Sequence, residues 1–531
     1  MKTTIMNTKY ILLAAILIGF TACNSDDDSS NASEALPPLT AGTANLSKYV
    51  SIGNSLTAGF TDNALFIATQ ENSFPNTLAQ KFALVGGGTF TQPLMNDNYG
   101  GLYAGGQPII NPMTGETLFK PRLVTTGGAP VPLESVIGPV TVSTDIVLNN
   151  PTGPFNNMGV PGAASFHLLA PGYGNLANFS AGLANPYFIR MTGTTPDATI
   201  MELSLAQSPS FVSLWIGAND VLGYATGGAS SAGPTPQPVF DGAMGAIMNS
   251  LDGIQGIMAN VPYVTTIPFF TTVQHNELDP SNPAFGSQIP TLNATFAALN
   301  GAFAFLGMPE RSITFSETEN SPMVIYDESL ENIQASLFSV LVGGGLDVPT
   351  AGVLSAQFAQ SRQATEDDLF TLTSASVIAT LNEDYFTALV TAGVPAETAG
   401  QLSVNGVTFP MEDQWVLIPS EQDEIKTAID GFNATLQSSA NAAGFAFVDA
   451  NAIFSEMANG GYADGDFILT ADLVSGGAVS LDGVHPTSRG YALVANEMMK
   501  AIDATYGSNF EASGNLIDIG DYPTNYSPLL P

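Results

Sequence analysis

Short apolar runs alternate with longer helix-compatible stretches along this chain. Tyr49-Val50-Ser51-Ile52 ends at Gly53, Val212-Ser213-Leu214-Trp215-Ile216 at Gly217, Val264-Thr265-Thr266-Ile267 at Pro268, and Phe445-Ala446-Phe447-Val448 at Asp449. Runs this short, apolar almost throughout and closed by turn residues, are expected to be strands buried on both faces. A helical pattern from about Ser420 to Ala443 precedes the fourth run. Near the end, Thr487 or Ser488 can cap a helix on which Tyr491, Val494, Met498, Ala501 and Ile502 share one face. The alternation predicts an α/β fold, a three-layer α/β/α sandwich around a parallel sheet of about five strands.

Two stretches exceed a minimal α/β unit. Residues 61–155 are rich in Gly, Pro, Asn and Thr and read as long decorated loops. Residues 275–415 hold helical pieces, such as Leu330 to Val342 and Thr365 to Ala379, and read as an inserted subdomain or cap. The expected organisation is one enlarged domain over 45–508 with these two large insertions, then an irregular tail over 509–531.

The beginning of the chain has a different character. Lys2 and Lys9, an apolar run from Tyr10 to Phe20 and the small residues Thr21 and Ala22 lead into Cys23, the single cysteine. This is the layout of a bacterial signal peptide, and the apolar run is too short to span a bilayer. It resembles a lipobox, which implies a leader over 1–22 and an acylated Cys23. The segment Asn24-Ser25-Asp26-Asp27-Asp28-Ser29-Ser30 opens a solvated tether reaching about Ala44. It is similar to the acidic tag of surface lipoproteins of the Bacteroidetes group. The resemblance implies a cell-envelope, outer-membrane lipoprotein, surface-exposed, whose membrane partner is reached through the lipid on Cys23.

Charge narrows the partners. The formal net charge is −35, from 47 acidic side chains against only 12 Lys and Arg. So few cations exclude a nucleic-acid partner, which needs clustered Lys and Arg to meet phosphate. One cysteine excludes an intramolecular disulfide and a cysteine-cluster metal site.

Four local features stand in a fixed order. Gly53-Asn54-Ser55-Leu56 places a serine where the first strand turns into a helix, at the carboxyl edge of the sheet where α/β folds bind ligands. Asn157-Met158-Gly159-Val160-Pro161-Gly162 is a Gly-rich turn able to bring a backbone N–H close to a substrate oxygen. Gly217-Ala218-Asn219-Asp220 follows the second run and can direct an amide N–H to the same place. Asp482-Gly483-Val484-His485-Pro486 sets an acid three residues before a histidine, a spacing that can fix the tautomer in which His485 deprotonates a serine. Each is weak alone; an ordinary loop explains any one of them.

Together they resemble the four blocks of the SGNH/GDSL hydrolase superfamily, and Ser55-Leu56-Thr57-Ala58-Gly59 is similar to its usual continuation. The resemblance implies a flavodoxin-like sheet, Ser55 as nucleophile, His485 as general base and Asp482 as orienting acid. It also implies an oxyanion hole made by the Ser55 N–H, the Gly162 N–H and the Asn219 side chain, with no cofactor and no metal. The chain departs from the family at Asn54, where Asp is usual; Asn keeps the hydrogen-bonding shape without the charge.

The function implied is a serine-dependent carboxylic ester hydrolase of esterase or lipase type, acting on a lipid or an acylated glycan. Leu337-Phe338 and Phe386 in the second insertion would suit an acyl chain. The alternatives are a polysaccharide O-deacetylase of the same fold and a catalytically weak surface ligand-binding lipoprotein. His275, Glu277 and Asp279 suggest a metal less well than a polar loop, and Asp464-Gly465-Asp466 reads as a plain turn.

Overall fold

In a computed structural model the described residues are 35–530. The leader, Cys23 and the acidic run after it lie outside them. The elements that build and support the site are β1 (Tyr49–Gly53), α1 (Ser55–Ala58), α2 (Phe74–Ala83), β2 (Asn157–Gly159), β3 (Phe211–Trp215), α3 (Gln237–Ser250), β4 (Gln255–Ala259), α4 (Ile289–Phe305), α5 (Gln334–Gly343), α6 (Val348–Gln357), α7 (Pro419–Ala443), β5 (Ala446–Val448), α8 (Ala450–Ala458) and α9 (Ser488–Tyr506). The strands form one sheet in the order β5-β4-β3-β1-β2, every pair parallel.

Alternation along the strands builds two cores. Val50, Ile52, Val212 and Leu214 face α3 and α7, while Tyr49, Phe211 and Trp215 face α2 and α9. Helices therefore cover both faces, which is why these strands are apolar nearly throughout. On α7, Ile425, Ile429, Phe432, Leu436 and Ala440 are buried at helical spacing, and Phe432 stacks on Phe240 of α3 with centroids 4.2 Å apart. The two serines in the runs are not exceptions to burial. Tyr49 Oη bonds Ser213 Oγ at 2.7 Å and Ser213 Oγ donates to Ser51 Oγ at 2.8 Å, so the hydroxyls satisfy one another between strands.

The structure corrects four expectations. Val264–Thr266 is a 3₁₀ turn, and the strand between β3 and β5 is Gln255–Ala259. Gln255 and Gly256 dilute its apolar signal, yet Gly256 is required because the Phe445 ring fills the space of a Cβ. Asn157–Gly159 is an edge strand rather than a turn. The region 61–155 contributes α2 to the sandwich itself, with Phe74, Leu78 and Phe82 in its core; Pro75 in the first turn marks the helix start. Thr365 to Ala379 is not helical, holding instead the short strand Leu369–Phe370 and a 3₁₀ turn.

The second insertion has its own core, in which Phe296, Leu299, Phe303, Leu337 and Phe358 are buried. Leu337 is fully buried and Phe338 packs against the same cluster, so these two of the side chains expected to receive an acyl chain stabilise the insertion instead, while Phe386 is half-buried. Inside it, Arg362 bridges Asp327 and Asp368, each at 2.6 Å. The tail after Ser508 packs over the domain: Tyr526 Oη meets Ser488 Oγ at 2.6 Å and accepts from Asn72 at 2.9 Å. Among the described residues no helix is long and apolar enough to cross a membrane.

Candidate active site

The site forms where β1 gives way to α1. Gly53 has no room for a Cβ, which would meet Thr57 Oγ1 and the Trp215 carbonyl. Gly159 on β2 likewise lets the α1 backbone pass close by. Asn54 caps α1, its Oδ1 accepting from the Leu56 N–H at 3.0 Å. The expected hydrogen-bonding shape is thus kept by the amide, while its buried Nδ2 has no partner among the described residues. These constraints set Ser55 as the first residue of α1, at the carboxyl edge of the sheet.

His485 arrives from the loop before α9. Its Nε2 lies 2.9 Å from Ser55 Oγ, and its Nδ1 lies 2.8 Å from Asp482 Oδ2. The Phe60 ring packs 4.7 Å from the imidazole and limits its rotation. Asp482 is almost fully buried, yet its carboxylate accepts five hydrogen bonds: Ser480 Oγ, Val484 N–H and His485 N–H on Oδ1, the His485 ring and Asn63 N–H on Oδ2. Burial pushes its pKa up, but the charge of His485 and these donors outweigh burial and hold it at about 2. An ionised Asp482 keeps the proton on Nδ1, which leaves Nε2 to accept from Ser55.

The three groups expected to hold an oxyanion fare differently. Neither the Ser55 N–H nor the Gly162 N–H has an acceptor among the described residues. Gly162 is exposed and adopts φ +82°, a conformation suited to glycine. Asn219 Nδ2 donates to the Ala163 carbonyl at 3.0 Å, which sets the amide beside the Gly162 peptide and leaves its second N–H. The two loops are locked together by Asp220, which accepts from Ser165 N–H at 2.8 Å and Ser165 Oγ at 2.7 Å.

Two residues escaped the sequence reading. Thr61 and Ala64 bond each other across a tight turn whose central residues, Asp62 (φ 51°) and Asn63 (φ 61°), are both left-handed. That turn sits against Asp482 and Ser480. Asn63 donates its N–H to Asp482 Oδ2 at 2.9 Å, and Asp62 donates its N–H to Ser480 Oγ at 3.0 Å. Asp62 Oδ1 accepts from Leu481 N–H at 3.1 Å. Burial raises the Asp62 carboxyl to about 7; the Leu481 N–H and the Arg122 charge oppose the rise, and the Asp482 charge adds to it. An Asp-Asn pair is a recognisable turn signal, but nothing local says what the turn supports.

Beside Ser55 and His485 opens a slot of about 40 Å³. Trp215, Leu222, Val261, Val264, Ile267 and Phe454 wall it. The run Val264 to Ile267, whose apolarity suggests a strand, supplies part of this wall instead.

The weaker candidates stay apart from this centre. Glu277 accepts from Gln274 N–H at 3.0 Å and Asp279 from Ser281 N–H at 2.7 Å, each serving its own turn. His167 accepts from Ala164 N–H at 3.0 Å and stacks on Tyr173. Asp464-Gly465-Asp466 closes a hairpin between Tyr462–Asp464 and Phe467–Leu469. Among the described residues, Glu328, Asp413 and Glu421 bring carboxylate oxygens within 4.8 Å of one another at the edge of the second insertion. No family model, curated protein or solved structure matches the chain.

Proposed function

We propose that this protein is a serine-dependent carboxylic ester hydrolase built on the SGNH/GDSL plan. One observation carries the proposal: Ser55 Oγ, the His485 ring and the Asp482 carboxylate form a continuous hydrogen-bonded relay at 2.9 and 2.8 Å, although Ser55 and His485 are 430 residues apart in sequence. The N–H groups of Ser55 and Gly162, which have no acceptor among the described residues, support the same reading.

The chemistry follows from the roles of these groups. His485 Nε2 takes the proton as Ser55 Oγ attacks the ester carbonyl, and the oxyanion is held by the Ser55 and Gly162 N–H groups and the Asn219 amide. Collapse breaks the bond to the alcohol, which leaves with the proton from His485. Water, deprotonated by the same nitrogen, then attacks the acyl-serine, releasing the carboxylic acid and restoring Ser55. Asp482 stays ionised throughout and stabilises the imidazolium that forms twice per turnover.

The test is hydrolysis of p-nitrophenyl acetate by the full chain beside Ser55→Ala and Asn219→Ala. Ser55→Ala is expected to abolish turnover, and loss of the Asn219 donor to lower kcat by about 100- to 1,000-fold. A parent no faster than Ser55→Ala on this ester and its longer homologues would leave the fold serving as a surface ligand-binding protein. The lipoprotein reading of Cys23 is proposed separately: labelled palmitate should enter the expressed chain and not its Cys23→Ser variant.

A further inference from the structure

The slot beside Ser55 bears on the substrate. We propose that it is the acyl pocket and that it admits only short acyl groups, from acetyl to about butyryl, so that the protein cleaves small acyl groups from a larger alcohol. The inference rests on the esterase reading above.

Its size sets the limit. About 40 Å³ of the slot, which opens to solvent on one side, is accessible to water-sized groups, and about 10–15 Å³ of such space accommodates one of them. Roughly three carbons beyond the ester carbonyl fill it on that measure.

Its walls are fixed. Trp215 lines it, tied by its Nε1–H to the Asn260 carbonyl at 2.9 Å and packed edge-on against Phe74 at 5.7 Å. Trp215, Val264, Ile267 and Phe454 are each at least nine-tenths buried, so widening the slot means repacking the cores on the two faces of the sheet. Among the described residues, no side chain of the second insertion lines it.

The assignment of the acyl half to the slot follows from the order of events. The alcohol must leave while the acyl group remains on Ser55 Oγ until water releases it. A narrow apolar slot suits the group that stays, and the departing alcohol needs the open side. An apolar wall also suits a methyl or propyl group and offers a sugar hydroxyl no partner.

The experiment is a chain-length series, p-nitrophenyl acetate, butyrate, octanoate and palmitate, on the full chain, Ser55→Ala, Phe454→Ala and Leu222→Phe. The parent is expected to lose about tenfold or more in kcat/KM between butyrate and octanoate. Phe454→Ala should move the optimum to longer chains. Leu222→Phe, at a half-buried position that tolerates bulk, should depress butyrate relative to acetate without a loss of thermal stability. Octanoate or palmitate turned over as well as acetate by the parent, with Ser55→Ala inactive, overturns the pocket while leaving the esterase standing. Equal rates for the parent and Ser55→Ala on every ester overturn the esterase reading, and the pocket with it.

Discussion

Asp482 meets five hydrogen-bond donors, and its ionisation decides which nitrogen of His485 carries the proton, leaving Nε2 free to accept from Ser55. Asp482→Asn keeps the shape but offers an N–H to Nδ1, favouring the wrong tautomer; kcat is expected to fall by about 10,000-fold with little change in KM. Its neighbour Asp62 behaves oppositely. Held protonated to about pH 7 in the fold against an ordinary value of 3.8, it binds its proton more tightly in the native state than in the unfolded chain. Stability contributed by Asp62 therefore falls as pH rises from about 4 to 7 and is level above that. Asp62→Asn retains an acceptor for Leu481 N–H and tolerates the left-handed backbone. Its Tm should match the parent near pH 4 and exceed it at pH 8, as thermal unfolding across pH will show; a lower Tm at pH 8 would mean that an ionised Asp62 facing Arg122 stabilises the fold. Ser55, His485 and Asp482 were legible in the sequence because each sits within a few residues of a strand end or a helix start. Asp62 and Asn63 were not, because what they touch lies more than 400 residues away in sequence.

At the scale of elements, short-range signals placed most of the sheet. β1, β3 and β5 and helices α7 and α9 were legible from apolar runs and caps, since these act within a turn or a few residues. The strand β4 was not, and the run at Val264 stood in its place, because apolarity alone does not distinguish a buried strand from the buried wall of a cleft. The turn at Asp62-Asn63 shows an element acting as a support. Asn63→Gly preserves its left-handed φ and the N–H to Asp482, so activity is expected within about threefold of the parent, whereas Asn63→Ala takes on about 1 kcal/mol of backbone strain. Tm and kcat measured together separate the two: both should fall for the alanine variant and neither for the glycine. Truncation of the α3–α7 contact, Phe432→Ala, is expected to cost about 3–5 kcal/mol in denaturant unfolding.

For the whole molecule, the charge of −35 is set against a fold whose proposed catalytic chemistry uses few of those carboxylates. Uncompensated charge of this size opposes the compact state and is screened by salt. Raising NaCl from dilute buffer to about 1 M, where screening acts over about 3 Å, should increase Tm. The cluster of Glu328, Asp413 and Glu421 concentrates the effect. Burial and the neighbouring acids push Glu421 up to about 9, so its contribution declines as pH rises from about 4.5 to 9, and Glu421→Gln should raise Tm most at pH 8.

By itself the sequence determined the α/β class, the order of the four site blocks and the three residues proposed here as nucleophile, base and acid, because strand periodicity, capping and turn chemistry are read within a few residues. Tertiary structure alone decided the rest. It put the Asp62-Asn63 turn beneath Asp482 and turned the apolar run at Val264 into a wall of the slot. It also folded Phe296, Leu299, Phe303, Leu337 and Phe358 of the second insertion into a core of their own. These outcomes depend on which distant surfaces pack together, and close packing, unlike periodicity, is a property of pairs of segments and leaves no mark on either one alone.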